Sequence, residues 1–248
     1  MSTKLVLLGT GTPNACPNAS GPACAVVVDD RAYLVDFGPG VVRQASKAYY
    51  KGIDPLRPDL LTTAFCTHLH TDHTVGYADL IFTPWVLERS SPLKVFGPKG
   101  LQRMTDHLLQ AYAVDIDFRL HGFERANEVG YQVQVQEIQE GIIYRDERVQ
   151  VEAFAVSHGT LESYGYRFVT QDGVIVVSGD TAPCRWLPKK PRAATFCCTR
   201  SNMPQVSDAA RKNGRSTTAR STPSAPTLPP LLHRRSPSCW SPPIASTT

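Results

Sequence analysis

The seven residues Thr67-His68-Leu69-His70-Thr71-Asp72-His73 decide how the rest of this 248-residue sequence is interpreted. They include three histidines and one aspartate, and they come directly after a short apolar run. If that run is a strand, alternation places His68 and His70 on one side, and a turn after them can bring Asp72 and His73 back towards the same point. Neutral imidazole nitrogens and carboxylate oxygens are ligands that Zn²⁺ accepts. The segment therefore predicts a metal site at the end of a strand.

Two side chains far along the chain occur in the same kind of position. His158 follows the apolar run 149–156, and Asp180 follows the apolar run 173–178. Both runs are predicted strands, and sites in α/β proteins gather where strands end. Alone, His158 would be interpreted as a hydrogen-bonded structural histidine and Asp180 as a turn residue. Together with the first cluster, both are predicted to join the same metal centre.

The remaining sequence predicts strands with interspersed helices. A hairpin is predicted at Asp29-Asp30-Arg31, between two β-type runs. Helical spacing occurs over 41–51 and 100–113. The predicted strands are 4–8, 23–28, 32–35, 60–67, 131–138, 141–144, 149–156, 164–170 and 173–178. This pattern favours a layered domain that contains two sheets with helices outside.

Three features together resemble the metallo-β-lactamase superfamily, and within it the ribonuclease Z-like metal-dependent hydrolases. They are the HxHxDH motif at 68–73, the N-terminal strand ending in Gly9-Thr-Gly-Thr-Pro13, and Ser178-Gly179-Asp180-Thr181. The resemblance covers residues 1 to about 184. It implies an α+β fold, the αββα sandwich of that superfamily, with two metal ions at one edge of the paired sheets. The metals are usually Zn²⁺, with Mn²⁺ or Fe²⁺ as alternatives.

The resemblance also implies a role for each site residue. His68, His70 and His158 would hold one metal, Asp72 and His73 the second, and Asp180 would bridge them. Two metals about 3.5–4 Å apart share a water, lower its pKa and neutralise charge that develops on the substrate. Asp72 would in addition act catalytically by orienting the attacking hydroxide. Such a site hydrolyses a phosphodiester or a related small ester.

Other polar residues are given structural interpretations. Asp36 resembles a family segment below the active site, but a turn that ends a strand explains it equally well. His107 on a helix and His121 in a loop are interpreted as structural or exposed. The Gly9–Pro13 segment does not match GxGxxG and no helix is predicted after it, so it is expected to turn the chain beneath the metal site.

Charge is distributed unevenly along the chain. The total is 26 Lys/Arg against 22 Asp/Glu, but residues 1–184 hold 15 Lys/Arg and 21 Asp/Glu, whereas residues 185–248 hold 11 Lys/Arg and one Asp. The net charges are therefore −6 and +10. Ten of the 20 prolines also fall after residue 184. The sequence thus predicts a hydrolase domain at 1–184 and a basic Pro/Ser/Thr-rich disordered tail at 185–248.

We expect this change of character to reflect a reading-frame error near codon 185, which leaves the domain incomplete at its C-terminus. Ribonuclease Z-like proteins continue past the bridging aspartate with a buried strand, a His-Glu pair, a His-x-Ser/Thr segment and a final metal-binding histidine. None of these appears after Cys184. In a shifted frame, each new codon consists of the third base of one codon and the first two bases of the next. In that frame the codons of residues 195–200 can encode Ile-Leu-Leu-His-Glu, and those of residues 220–223 can encode Phe-His-Thr. The alternative is a natural low-complexity tail that permits such a reading by coincidence.

Four functions follow from these observations. The leading hypothesis is a dinuclear zinc hydrolase that acts on a phosphodiester or a related small ester. A tRNA 3′-processing endonuclease has the same chemistry, but the acidic 1–184 region disfavours tRNA because nucleic-acid binders present clustered Lys/Arg. A degenerate, catalytically impaired or inactive homologue fits the missing distal ligands. A basic-tailed nucleic-acid binder depends wholly on residues 185–248 and fails if the tail is a frame error.

Cellular context is also constrained by the sequence. The N-terminal apolar run is too short for a signal peptide, and no window approaches the roughly 20 apolar residues of a membrane span. Seven cysteines are an odd number without framework spacing, which indicates free thiols. A cytoplasmic protein that does not associate with membranes is expected, and a homodimer is compatible with the family resemblance.

Overall fold

Two β-sheets packed face to face form the centre of the fold, and the strands of each sheet lie in chain order. This computed structural model describes residues 2–123 and 125–182 in full and residues 195–201 as backbone only. Side chains that are distant in sequence can share a site where the ends of these strands lie close together.

The first sheet contains six strands. They are β1 (Thr3–Gly9), β2 (Ala23–Val28), β3 (Arg31–Val35), β4 (Thr63–Phe65), β5 (Leu93–Gly97) and β6 (Val133–Glu137). The first three are antiparallel neighbours, and β3 to β6 run parallel. Val35 pairs with Phe65, so the residues that follow β3 and β4 leave the sheet side by side.

The second sheet contains five strands among the described residues. They are β7 (Gly141–Arg145), β8 (Gln150–Ala155), β9 (Tyr164–Val169), β10 (Val174–Thr181) and β11 (Thr195–Ser201). β7 to β10 form an antiparallel meander, and β11 runs parallel to β10. Because β8 and β10 flank β9 and both run against it, their C-terminal ends lie at the same edge of the sheet.

Helices cover the outer face of the first sheet. The five helices of the described residues are α1 (Val41–Tyr49), α2 (Thr71–Thr74), α3 (Tyr77–Val86), α4 (Leu101–Ala111) and α5 (Ala113–His121). Residues of α1, α3 and α4 share one buried apolar cluster with the first sheet. In α1, Val41, Val42, Ala45 and Ala48 repeat at helical spacing and form its buried face.

A second apolar cluster fills the space between the sheets. Phe65 lies at its centre, with its ring centroid 5.1 Å from Phe96 and 5.4 Å from Phe168. All six residues of β2 are buried, because one face meets the helices and the other meets the second sheet. This core holds the two sheets, and the ends of their strands, in fixed relation.

The structure confirms the predicted fold class, the αββα sandwich. It also confirms the hairpin at residues 29–31, which joins β2 to β3. The described residues supply both sheets and one helical layer, and no helix among them joins the cluster between the sheets. None of the helices in the described part of the chain is long and apolar enough to cross a membrane.

Several predicted elements differ from the observed ones. The strand predicted over 60–67 is only Thr63–Phe65, preceded by a 3₁₀ turn at Pro58–Leu60. His121, predicted in a loop, ends helix α5. Residues 195–201 form a strand, although the tail showed no strand or helix periodicity. The rest of the predicted tail, 183–194 and 202–248, lies outside the described residues.

Candidate metal centre

The HxHxDH segment leaves the end of β4 in extended form and then turns. His70 has extended backbone angles (φ −67°, ψ 149°) and directly precedes the four-residue helix α2. The amide of His73 donates a hydrogen bond to the carbonyl of His70 at 3.1 Å, which closes the turn. The predicted sequence of strand, extended segment and returning turn is therefore present, and it directs Asp72 and His73 back towards His68.

Three imidazoles from two sheets converge at this edge. His68 Nε2 lies 3.1 Å from His70 Nδ1, and His158 Nε2 lies 3.1 Å from the same atom. Each residue offers one nitrogen within 4.8 Å of the others. His158 follows β8, so this group joins the second sheet to the first. These are the three residues that the family resemblance implies for one metal, and the structure brings them together.

A second group of potential ligands lies beside the first. His68, His73 and Asp180 each offer a ligand atom within 4.8 Å of the others, and His73 Nε2 lies 3.5 Å from Asp180 Oδ1. Asp72 Oδ2 lies 3.7 Å from His73 Nε2 but is outside both groups. All six predicted residues thus gather at one place. The structure associates His73 most closely with Asp180, and His68 contributes to both groups.

A buried carboxylate beneath the histidines was not assigned to the site by the sequence. Asp36 Oδ2 accepts hydrogen bonds from His73 Nδ1 at 2.7 Å and from the Thr67 hydroxyl at 2.9 Å. Its Oδ1 accepts from the Thr67 amide at 2.7 Å. Asp36 directly follows β3 and has a left-handed backbone (φ 61°), which turns its side chain under β4. The sequence offered one signal, the polar residue that ends an otherwise apolar strand.

This network fixes which ring nitrogens carry hydrogen. The Thr67 hydroxyl donates its hydrogen to Asp36, so it accepts one from His68 Nδ1, 2.9 Å away. His73 Nδ1 likewise donates to Asp36. The Nε2 of neutral His68 then presents a lone pair towards the other ligands, and the Nε2 of His73 does so once the proton on that nitrogen is lost. A hydrogen-bonded partner on the distal nitrogen is the arrangement that orients histidine ligands of metals.

The pKa values of the histidines differ sharply. Burial, together with the neighbouring charge of His73, lowers the pKa of His68 to about 4. Burial also lowers the pKa of His158. Burial lowers the pKa of His73 as well, but the Asp36 and Asp180 carboxylates outweigh it and raise that pKa to about 10. At neutral pH His68 and His158 are therefore neutral, as metal ligation requires, and His73 carries a proton that a metal would replace.

Asp180 reaches this cluster through a glycine. Gly179 has φ 61°, and a Cβ at that position would lie 2.8 Å from Thr67 Cβ. Only glycine allows strand β10 to pass so close to the Thr67–His68 backbone. The sequence pair Gly179-Asp180 is therefore a spatial requirement of the site.

The donor set fits a divalent metal such as zinc. Four ligands at about 2.0–2.1 Å in a tetrahedron lie about 3.3 Å apart, close to the 3.1 Å separations of the imidazole nitrogens. Hydrogen bonding alone does not explain these contacts, because one hydrogen on His70 Nδ1 cannot serve two facing nitrogens. Asp180 and Asp72 add the carboxylate oxygens that a second cation would use.

Known proteins of one family match this chain. Residues 31–196 match the family described as beta-lactamase superfamily domain. The chain is 30% identical over 190 residues to ribonuclease Z of Mycolicibacterium gilvum (strain PYR-GCK), an alignment that covers 75% of this chain. It spans only 64% of the length of that relative.

Solved structures show the same fold. Human tRNase Z, short form, superposes with a TM-score of 0.55 at 23% identity, covering 71% of this chain and 68% of that one. The long-form RNase Z from yeast gives 0.57 at 13% identity, covering 84% of this chain and 34% of that one. Since the family match includes more than half of the sequence, the resemblance predicted from the HxHxDH motif is confirmed, and the chain belongs to the beta-lactamase superfamily.

Proposed function

We propose that this protein is a ribonuclease Z-like, metal-dependent hydrolase that cleaves a phosphodiester or a related small ester. The observation that carries the proposal is the convergence of His68, His70 and His158, and of His68, His73 and Asp180, at one edge of the two sheets. When bound there, a pair of divalent cations, zinc first among the candidates, would lower the pKa of a water and neutralise charge on the substrate.

The residues of this chain have separate tasks in that reaction. Asp36 and Thr67 hold His68 and His73 with their Nε2 atoms directed into the site. His70, His158 and Asp180 complete the two ligand groups. Asp72 is the second residue of α2 and lies beside His73. From there its carboxylate can orient the attacking water and accept a proton from it.

A tRNA 3′-processing endonuclease is the second candidate. The support for it is the 30% identity with a protein named ribonuclease Z. The net charge of −6 over residues 1–184 argues against it, because a polynucleotide is normally held by clustered Lys/Arg. A small ester is therefore the preferred substrate. A cytoplasmic location and a homodimer stay predictions of the sequence.

The test is a hydrolysis assay on the purified full chain with zinc. We expect cleavage of bis(p-nitrophenyl) phosphate to exceed cleavage of a tRNA precursor. His158→Ala should reduce the rate at least about a hundredfold, because it leaves only His68 and His70 in the first group of candidate ligands. His107→Ala, which changes an exposed histidine on α4, is the matched control and should keep full activity.

Two outcomes would contradict the proposal. One is hydrolysis that persists unchanged after chelation of the metal. The other is a zinc-loaded chain that cleaves neither substrate, which would favour an inactive homologue instead. Preferential cleavage of the tRNA precursor would transfer support to the second candidate.

A further inference from the structure

A neutral cleft adjoins the proposed catalytic carboxylate. Its volume is about 440 Å³, within the range of small-molecule sites. One wall is the loop from Thr12 to Gly21, and the other includes Asp72 and Val75 of the HxHxDH turn. The cleft therefore borders the candidate metal centre at Asp72, whose Oδ2 is 3.7 Å from His73 Nε2.

The loop that forms the outer wall is closed at its base. The amide of Gly11 donates to the carbonyl of Ser20 at 2.7 Å, and the amide of Gly21 donates to the carbonyl of Pro39 at 3.0 Å. A Cβ on Gly11 would lie 2.6 Å from the Ser20 carbonyl oxygen, so the two ends of the loop approach as closely as backbone allows. The wall is thus fastened to the strand ends that carry the site.

The lining of the cleft is almost uncharged. It includes three prolines, two alanines and Val75, which is 64% exposed, and no Lys or Arg. The uncharged residues Thr12, Asn14, Cys16, Ser20 and Thr71 complete the lining together with Gly21. Asp72 is the single charged residue among the residues that line it. A further phosphate would meet no cation here, whereas a compact apolar group would be removed from water against proline and valine.

From this we infer that the cleft binds the uncharged side group of the substrate, and that the substrate is a small ester or phosphodiester with an aryl or similar compact apolar group. This inference rests on the proposed hydrolase function and specifies its substrate class. A polynucleotide, which carries a phosphate on each side of the scissile bond, does not match the cleft.

Binding of two phosphonates to the zinc-loaded full chain tests the inference without turnover. Phenylphosphonate and methylphosphonate present the same anionic head and differ in the group that would enter the cleft. We expect phenylphosphonate to bind about tenfold tighter or more in calorimetric titrations, because its ring is buried in the cleft. Ala15→Trp, which fills the cleft, should reduce this ratio to about one.

Asn18→Trp is the matched control. It places the same side chain in the same loop at an exposed position that does not line the cleft, and it should keep the wild-type ratio. The inference is overturned if wild type binds both phosphonates equally, if it binds neither, or if Ala15→Trp keeps the phenyl preference. The proposed hydrolase function fails by a different result, the absence of zinc-dependent ester cleavage.

Discussion

At the scale of single residues, we expect Asp36 to determine how well the site can hold a metal. It binds His73 directly and His68 through Thr67, so one carboxylate sets the tautomer of two ligands. Asp36→Asn cannot accept from all of these donors and presents an NH₂ group to some of them. We expect zinc affinity to fall about 10–100-fold, measured by competition with a chelating dye.

The control for that measurement is Asp30→Asn. Asp30 is 71% exposed and pairs with Arg148 on the surface, so its loss should change zinc affinity little. Equal affinities for wild type and Asp36→Asn would show that the buried network does not orient the ligands.

His73 predicts a specific pH dependence for the metal-free chain. Burial lowers its pKa, but Asp36 and Asp180 raise it to about 10, above the value of about 6.5 in an unfolded chain. The stabilisation from protonated His73 is therefore complete below about pH 6.5 and is lost as pH rises towards 10. Urea unfolding in EDTA should show a decline in the free energy of unfolding across this window, and His73→Gln should flatten it. An unchanged slope in His73→Gln would contradict this account, and exposed His121→Gln is the control.

Candidate ligands within one short motif were easier to predict from the sequence than the buried residue that hydrogen-bonds to them. His68, His70 and His73 were identified from spacing alone, because an extended segment and one turn determine their placement. The role of Asp36 depends on the pairing of β3 with β4, which joins residues 31 positions apart. A polar residue at the end of a strand has the same neighbours in sequence whether it forms a turn or hydrogen-bonds to a metal ligand.

At the scale of elements, Asp146 fastens the β7–β8 hairpin to the first sheet. Its Oδ2 accepts from the hydroxyls of Tyr33 in β3 at 2.6 Å and Tyr144 in β7 at 2.9 Å. Its Oδ1 accepts from the amides of Arg148 and Val149 within the hairpin turn, both at 2.9 Å. Burial alone would raise the pKa of Asp146, but these hydrogen bonds lower it.

Asp146→Asn should therefore destabilise the fold by about 1–3 kcal/mol at neutral pH. Because the folded-state pKa lies below the ordinary value of 3.8, the contribution is present above that pH and is lost as pH falls below it. The difference between wild type and variant should accordingly shrink in acid, as followed by urea unfolding. Glu147→Gln, at a neighbouring side chain that is 60% exposed, is the control. A difference independent of pH would refute the role of the carboxylate charge.

Helix α3 shows why some elements escaped sequence analysis. Six of its ten residues are buried, so apolar side chains surround it without an amphipathic period, and Pro84 lies inside it. Pro84 has no amide hydrogen to donate to the carbonyl of Leu80, one turn earlier in the helix. Arg89, fully buried after the helix, donates to that carbonyl and to the carbonyl of Ile81. This contact compensates for a proline inside the helix, and it cannot be recognised from the local sequence.

At the scale of the whole molecule, the candidate metal centre lies between residues of the two sheets. His68 and His70 follow β4 of the first sheet, whereas His158 follows β8 of the second and Asp180 lies in β10. A ligand that binds only the folded chain stabilises it by about 2.7 kcal/mol at a hundred times its dissociation constant. Zinc should raise the thermal midpoint of unfolding, EDTA should lower it, and His158→Ala should remove most of the difference. A midpoint insensitive to zinc would show that no metal links the sheets.

The last prediction concerns the reading frame after codon 184. We propose that residues from about 185 are encoded out of frame, and the register of β11 adds support. Val177 pairs with residue 198 and Asp180 with residue 200, so the alternative reading Ile-Leu-Leu-His-Glu would place an apolar strand here and its His-Glu pair beside Asp180. Its two leucines are forced, since the Phe and Cys codons at 196–198 end in a pyrimidine.

A chain with the frame restored at codon 185 should therefore bind two zinc ions tightly. The present chain should bind the second more weakly, because the final metal-binding histidine that the family resemblance implies does not appear after Cys184. Metal analysis after dialysis, with hydrolysis of bis(p-nitrophenyl) phosphate alongside, measures both expectations. The coding DNA around codon 185 provides the direct check, with Asp36→Asn in the restored chain as a control for metal held outside the site. DNA whose codons cannot encode the alternative motifs, or equal zinc content in the two chains, would refute the frame proposal and leave residues 185–248 as a natural basic tail.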